Sequence, residues 1–441
     1  MQINAQVIRA TAVAGLGGLL FGFDTVVVSG TNAALTALYH LSDKGLGFTV
    51  ASALIGTVIG ALTAGIPGQR LGRRDSLRLM AALYLVAAIG CAFAWNWPAL
   101  IVFRVLSGLA VGGSSVLGPL YISELSPAQW RGRLVGFFQV NIVIGILIAY
   151  LSNYIIGTLH LGATEWRWQL GVAAVPAAGF VLALFFIPRS PRWLAMMGRR
   201  DESLAVLRLI DDPNPEQRLQ RIEAEIEHER AVASVPLFRR AHARGIMVAV
   251  TVGMFTQLSG INAILYYLSD IFRLSGATSI SGAQQSVAVG ATNLVATLIA
   301  MSLIDKVGRR KLLLTGTFGL VVCLGLVGYI FHIDSHKALL LPLLMGYIAC
   351  FAVSQGAVVW VYISEVFPTA VRAKGQALGS SSHWIFNAII AYVFPAMLRF
   401  SSAATFWFFG AMMVLDIILV MSLYPETSNV SLEDISEHLS H

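Results

Sequence analysis

Apolar residues run in long blocks along this chain, separated by short polar intervals that hold most of the charge. Twelve blocks stand out, at about residues 10–32, 47–67, 77–95, 98–120, 134–156, 168–188, 245–269, 284–304, 312–332, 339–362, 374–396 and 402–424. Each is near the length an α-helix needs to cross a ~30 Å hydrocarbon core. In lipid every backbone polar group must be satisfied within its own segment, so these blocks predict helices. The one long polar interval, 198–242, shows helical spacing at Leu204, Leu207 and Ile210, a break at Pro213 and Pro215, and renewed spacing from Glu216 through Leu219, Ile222 and Ile226. The pattern as a whole predicts an all-α membrane protein with twelve transmembrane helices and a short cytoplasmic helical segment in the middle.

Composition agrees. Of 441 residues, 56% are hydrophobic and 12% charged, against about 25% charged in a soluble domain. An ordinary soluble globular protein is excluded, and so is a disordered chain, which needs the opposite balance. Cys91, Cys323 and Cys350 lie in separate apolar blocks, giving neither a disulfide framework nor a clustered metal site. The net charge of +7 would suit a nucleic-acid partner, but the positions of the charges argue against one. Of the 30 Lys and Arg, 24 lie at the N-terminus or in the even-numbered connections, and five lie in the odd-numbered ones; Arg104 is inside a block. That asymmetry is the positive-inside pattern and puts both termini and the central segment in the cytoplasm, in a multi-pass protein of the inner (plasma) membrane. The basic balance is topological, and the expected partner is the lipid bilayer. The first block is long, carries Asp24 and lacks a cleavage pattern, so it reads as a retained helix.

The chain also repeats itself. Leu71-Gly72-Arg73-Arg74 returns as Val307-Gly308-Arg309-Arg310, Ile122-Ser123-Glu124-Leu125-Ser126-Pro127 as Ile363-Ser364-Glu365-Val366-Phe367-Pro368, and Pro188-Arg189-Ser190-Pro191 is matched by Pro425-Glu426-Thr427-Ser428, at offsets of 236, 241 and 237. Near-constant spacing indicates a duplicated six-helix unit. The organisation expected is an N-terminal half over 1–197, a helical linker over 198–242, a C-terminal half over 243–425 and a cytoplasmic tail over 426–441. Two parallel halves make a transporter architecture, with the substrate site expected between them near the midplane.

On these motifs, with Pro188-Arg189-Ser190-Pro191-Arg192-Trp193-Leu194, Gln257-Leu258-Ser259-Gly260-Ile261-Asn262, Asp305-Lys306-Val307-Gly308-Arg309-Arg310 and Pro425-Glu426-Thr427, the chain resembles the sugar porters of the major facilitator superfamily. This group holds bacterial sugar–proton symporters and animal glucose facilitators. The resemblance covers about residues 8–435.

Two charges lie deep in apolar blocks, where ionisable residues are functional candidates. Counted along the first block, Asp24 lies about 21 Å above the cytoplasmic face; counted along the fourth, Arg104 lies at about the same height. A structural ion pair is one reading. A proton-coupling site is the other: paired with Arg104 the acid stays ionised, and unpaired in a dry cavity it takes a proton. The resemblance implies the second, because an acid at this position is similar to proton-coupled members, whereas facilitators tend to have a neutral residue.

A sugar needs amides and hydroxyls for its own hydroxyls and an aromatic face for its C–H surface. The blocks supply Gln139, Gln257, Asn262, Tyr266, Asn293, Trp360, His383 and Trp384. A single buried amide more often joins two helices, but the resemblance implies sugar contact for the set. Departures from the family pattern are Thr256 where a second glutamine is usual, His383 where an amide is usual, and Gln69 and Arg189 where acids are usual. They are expected to alter sugar specificity and to soften the first-half cytoplasmic lock, while Asp305 and Glu365 keep theirs. Arg73, Arg74, Glu124, Arg131, Arg309, Arg310, Glu365 and Arg372 sit at cytoplasmic helix ends, where salt bridges could form a state-dependent gate or simply anchor topology. The close pairs Gly56/Gly60 and Gly108/Gly112 read as close helix contacts.

The function expected is proton-coupled import of a monosaccharide, hexose or pentose, by alternating access. The alternatives are a facilitative sugar uniporter, disfavoured by Asp24, and a non-transporting sugar sensor, expected to carry a long extension beyond Pro425. No phosphate-loop, nucleophile or metal-ligand constellation is present, so neither an enzyme nor a cofactor is expected. Oligomeric state is left open, with a monomer compatible.

Overall fold

The computed structural model describes residues 4–232, 235–368 and 371–426. The tail from residue 427 and the side chain of Asp305 lie outside the described residues. Twelve helices among the described residues are long and apolar enough to cross a membrane: Ala5–Gly30, Asp43–Arg70, Arg73–Ala92, Trp97–Leu125, Arg131–Thr158, Gly162–Phe186, Ala243–Tyr266, Ser281–Ile304, Arg309–Ile333, Lys337–Ile363, Arg372–Phe400 and Ser402–Leu423. They are called the first to twelfth spans below. Each overlaps one apolar block. The ends differ by a few residues because a helix, once nucleated, continues through polar positions.

Beyond the sixth span come helices Pro191–Met196, Arg200–Leu209 and Pro215–Val232. The spacing at Leu207, Leu219, Ile222 and Ile226 is real, and all four are buried. The expected break falls at 210–214, and Pro215 belongs to the second helix as its first residue. Proline is tolerated there because the first N–H of a helix has no partner to lose. Arg218 of this helix pairs with Asp212 at 2.6 Å and donates to the carbonyls of Glu124 and Ser126.

The chain resolves into two compact units. One comprises Met1–Thr25, Ile55–Ala149 and Arg167–Ser234; the other comprises Val26–Leu54, Tyr150–Trp166 and Val235–His441. In the first unit, glycines let helices meet backbone to backbone. A Cβ on Gly56 would lie 2.1 Å from the Val105 carbonyl oxygen, one on Gly60 2.1 Å from that of Leu109, and one on Gly112 2.2 Å from that of Thr57. The duplicated Gly-Arg-Arg motif has a local cause as well. Gly72 and Gly308 start the third and ninth spans at φ +88° and +93°, a region that side chains with a Cβ rarely enter.

The seventh span is interrupted. Gly260 has φ +84°, and just past the end of the span an irregularity at Tyr267 separates Ile261–Tyr266 from the following helix Leu268–Leu274. Breaks strand backbone carbonyls that have no intrahelical donor. Within the second unit three carbonyls at these breaks accept from side chains elsewhere: Tyr347 donates to Ser259 O at 2.9 Å, Tyr150 to Leu265 O at 2.7 Å, and Asn32 to Tyr266 O at 3.1 Å. Asn32 also donates to Asp270 at 2.8 Å, and Asn153 to Val27 O at 3.0 Å. The tenth span breaks at Ser354, where φ is −115° and ψ −98°.

Candidate functional site

In the first unit, Gly22 and Gly145 bring the first and fifth spans together: a Cβ on Gly22 would overlap the Ile142 carbonyl, and one on Gly145 would lie 2.0 Å from that of Leu19. This contact fixes the backbone two residues before Asp24. Arg104 projects from the fourth span, its Nη1 3.9 Å from Asp24 Oδ1, with side-chain exposures of 4% and 12%. The expected pairing is therefore present, but it is long, and Arg104 Nε is buried without a hydrogen bond. Tyr84 of the third span donates to Asp24 Oδ1 at 3.4 Å. Tyr84 was not among the expected residues. A tyrosine in an apolar block reads as core, and only the fold puts its hydroxyl on the acid.

At the end of the fourth span, Arg73 pairs with Glu124 at 2.9 Å and donates to Gly68 O. Ser190 donates to the other oxygen of Glu124 and also caps the following helix through Trp193 N–H. Where the loop motif lacks its usual acid at Gln69, Asp75 receives three arginines: Arg74 at 3.1 Å, Arg78 at 2.8 Å and Arg189 at 3.2 Å. Arg189, which departs from the usual acid, is thereby held. Arg131 begins the fifth span with its side chain exposed.

The second unit carries the corresponding contacts. Arg309 meets Glu365 at 3.5 Å. The backbone N–H groups of Arg309 and Arg310 donate to the two carboxylate oxygens of Glu426, at 3.0 and 3.2 Å. A carboxylate at a helix N-terminus is favourable because the free N–H groups point at it. Arg310 donates to Val420 O and Met421 O, and Arg372 to Phe367 O. Each of these ion pairs joins residues of one unit.

Six of the eight expected sugar contacts form two connected groups in the second unit. Asn262 donates to Gln257 Oε1 at 3.0 Å, and Gln257 Nε2 lies 2.9 Å from His383 Nε2. The His383 ring stands 4.9 Å from Trp360 and 5.2 Å from Trp384, the latter edge-on. Tyr266 and Asn387 form the second group: Tyr266 Oη lies 3.1 Å from Asn387 Oδ1 and 3.0 Å from Nδ2. Gln257, Tyr266 and His383 are buried, while Trp360 is 40% exposed. Such a set offers several donors and acceptors beside aromatic faces. Asn293 is buried on the eighth span and Gln139 is half-buried in the first unit, and neither makes a side-chain hydrogen bond among the described residues. Asn387 was missed, although it lies one helical turn beyond His383 and so on the same face. Thr256, where a glutamine is usual, spends its hydroxyl proton within its own helix, donating to Val252 O at 2.7 Å.

A family model described as "Sugar (and other) transporter" matches residues 10–439. The chain belongs to the sugar transporter family. This sugar transporter is 33% identical to the D-xylose-proton symporter of Escherichia coli (strain K12), over 98% of this chain and 95% of that one. It is 35% identical to the arabinose-proton symporter of Bacillus subtilis (strain 168), over 98% and 94%. Among solved structures, the inward open conformation of the xylose transporter XylE from E. coli superposes with a TM-score of 0.88 at 33% identity, covering 98% of this chain and 99% of that one. The twelve spans thus make the major facilitator fold, and the protein is a multi-pass membrane transporter.

Proposed function

We propose that the protein imports a monosaccharide, hexose or pentose, together with a proton, by alternating access. The observation that carries this reading is the Asp24–Arg104 pair, two opposite charges 3.9 Å apart inside apolar helices. An ion pair that loose exchanges its charge partner for a proton more readily than a tight bidentate one. The names of the two relatives, a xylose-proton and an arabinose-proton symporter, point the same way. Gln139, Gln257, Asn262, Tyr266, Asn293, Trp360, His383 and Trp384 are the proposed sugar contacts. The mutual bonds of Gln257, Asn262 and His383 supply groups that sugar hydroxyls can engage in exchange, at small net cost. Arg73, Arg74, Glu124, Arg131, Arg309, Arg310, Glu365 and Arg372 are the proposed cytoplasmic gate. Both termini and the 198–242 segment are placed in the cytoplasm, on the strength of 24 basic residues against five. The test is concentrative uptake of labelled xylose, arabinose, galactose or glucose into vesicles under an inward proton gradient. Accumulation should disappear with an uncoupler. Accumulation that survives it, with no other ion gradient present, overturns proton symport.

A further inference from the structure

A second acid lies within a span and has no part in the site above. Asp416, fourteen residues into the twelfth span, is 3% exposed. Its Oδ2 accepts from Gln355 Nε2 at 2.9 Å and from Thr317 Oγ1 at 3.4 Å, drawing together the ninth, tenth and twelfth spans. No cation pairs with it among the described residues. Arg310, at the start of the ninth span, is committed to Val420 O and Met421 O, about one turn along. Tyr424, just past the twelfth span, has its hydroxyl on Thr251 of the seventh. Tyr362 of the tenth span is turned to Pro425 O, Glu365 to Arg309, and His383 of the eleventh to Gln257.

Gln355 has the complementary defect. It is 2% exposed, its Nε2 is used, and its Oε1 is buried with no hydrogen bond. An ionised carboxylate without a cation in an apolar interior is unfavourable, and so is an amide oxygen without a donor. One proton on Asp416 meets both needs. The acid O–H donates to Gln355 Oε1 while the acid carbonyl keeps the Nε2–H bond, giving a closed acid–amide ring.

The position matters too. Gln355 opens the second segment of the tenth span, directly after the break at Ser354. The ninth span presses on that break, since a Cβ on Gly316 would lie 2.1 Å from Ser354 Cβ. The same segment carries Trp360 against His383 and Glu365 against Arg309. Discontinuous helices in transporters are where substrate and coupling-ion sites are built.

We propose that Asp416 and Gln355 form a second proton-binding site, separate from Asp24, whose occupancy sets the position of the Gln355–Glu365 segment. The inference goes beyond the coupling role given to Asp24 and does not depend on it. The experiment is infrared titration of the full-length protein in proteoliposomes, reading the carbonyl stretch of protonated carboxylic acids in wild type, Asp416→Asn and Asp24→Asn. A carboxylic-acid band that titrates with pH should be lost in Asp416→Asn and kept in Asp24→Asn. If Asp416→Asn fails to fold, Gln355→Leu serves instead: loss of the amide partner should shift the band to higher frequency and displace its titration. The proposal is overturned by a spectrum that neither substitution changes, and by an Asp416 band that persists undiminished from acid to alkaline pH, which marks a permanent structural proton. Sugar counterflow gives a functional readout. Its pH profile in Asp24→Asn should keep a component that the double variant with Asp416→Asn lacks, and identical profiles overturn the link to the tenth span.

Discussion

Asp24→Asn should separate sugar movement from its driving force. Asparagine keeps the shape of the acid and the neutrality of its protonated form, and its amide oxygen can still accept from Tyr84. What disappears is the ion pair. Two unit charges 3.9 Å apart interact by roughly 4 kcal/mol at an effective dielectric of about 20, so the variant abolishes a charge-dependent preference of that order. Arg104, 3% exposed, is left without its anion, and one-sided loss of a buried pair costs about 3–5 kcal/mol. Lower thermal stability is therefore expected alongside the functional change. With one proton carried per sugar, each pH unit across the membrane supplies about 1.4 kcal/mol, or about tenfold accumulation. Wild type should approach that ratio, while Asp24→Asn should equilibrate sugar without concentrating it and still catalyse counterflow. Both assays belong on one proteoliposome preparation, with sugar binding measured to confirm folding. Normal pH-driven accumulation by Asp24→Asn would refute the argument and leave the acid as a structural partner of Arg104.

Three further outcomes are expected. Gln257→Ala removes bonds to both His383 and Asn262, and should weaken sugar binding by about 1–3 kcal/mol, roughly 5- to 150-fold; unchanged affinity for every transported sugar excludes Gln257 from the site. Gly60→Ala should destabilise the first unit by about 1–3 kcal/mol or more, because its Cβ would meet the Leu109 carbonyl. Gly65→Ala, with open space around it, should be neutral or better; equal melting temperatures of the two variants in detergent would contradict the close contact. The third outcome concerns the bond from Asn32 to Asp270. Burial pushes the Asp270 carboxyl above its ordinary range, against the lowering effects of Asn32 and Arg273. The closed contact therefore binds a proton more readily than an exposed one. Its stability is greatest below the ordinary carboxylate pKa and declines as pH rises from there through the raised value. Amide protection at residues 28–35 and 266–272, corrected for the intrinsic base-catalysed rate, should fall over that window in wild type. It should be flat in Asp270→Asn, and a slope of the same size in that variant would exclude Asp270 as the cause.

Much of the fold was legible because membrane crossing leaves so few choices: a helix, about twenty apolar residues, and basic flanks. The Asp24–Arg104 pair was legible for the same reason, since two charges at equal depth in apolar blocks have little else to meet. What stayed hidden depends on backbone events. Nothing in the apolar pattern near Ser354 or Tyr267 marks an interruption, so the carbonyls released there, and the side chains that take them, could not be anticipated. Asp75 is not marked by the motif, whose usual acid belongs at position 69, six residues earlier. The break at Pro213 was legible, and only the side on which Pro215 falls was not, because proline is a breaker inside a helix and an initiator at its first position. Tyr84 and Asn387 act through partners on other spans, and spacing along one helix cannot show such contacts.

The interrupted seventh span has a consequence for how this protein could diverge. Tyr150, Tyr347 and Asn32 seat their polar ends on the main-chain oxygens of Leu265, Ser259 and Tyr266. A carbonyl is supplied by every amino acid, so the accepting side of each joint is indifferent to which residue stands there. Drift at those acceptor positions leaves the joint itself intact, so the joint constrains only its donor. The chain agrees with the xylose transporter at a third of its positions and holds nearly the same backbone, with a TM-score of 0.88. In any ancestral reconstruction, the donors Tyr150 and Tyr347 should prove older than Leu265 and Ser259, the residues they hold.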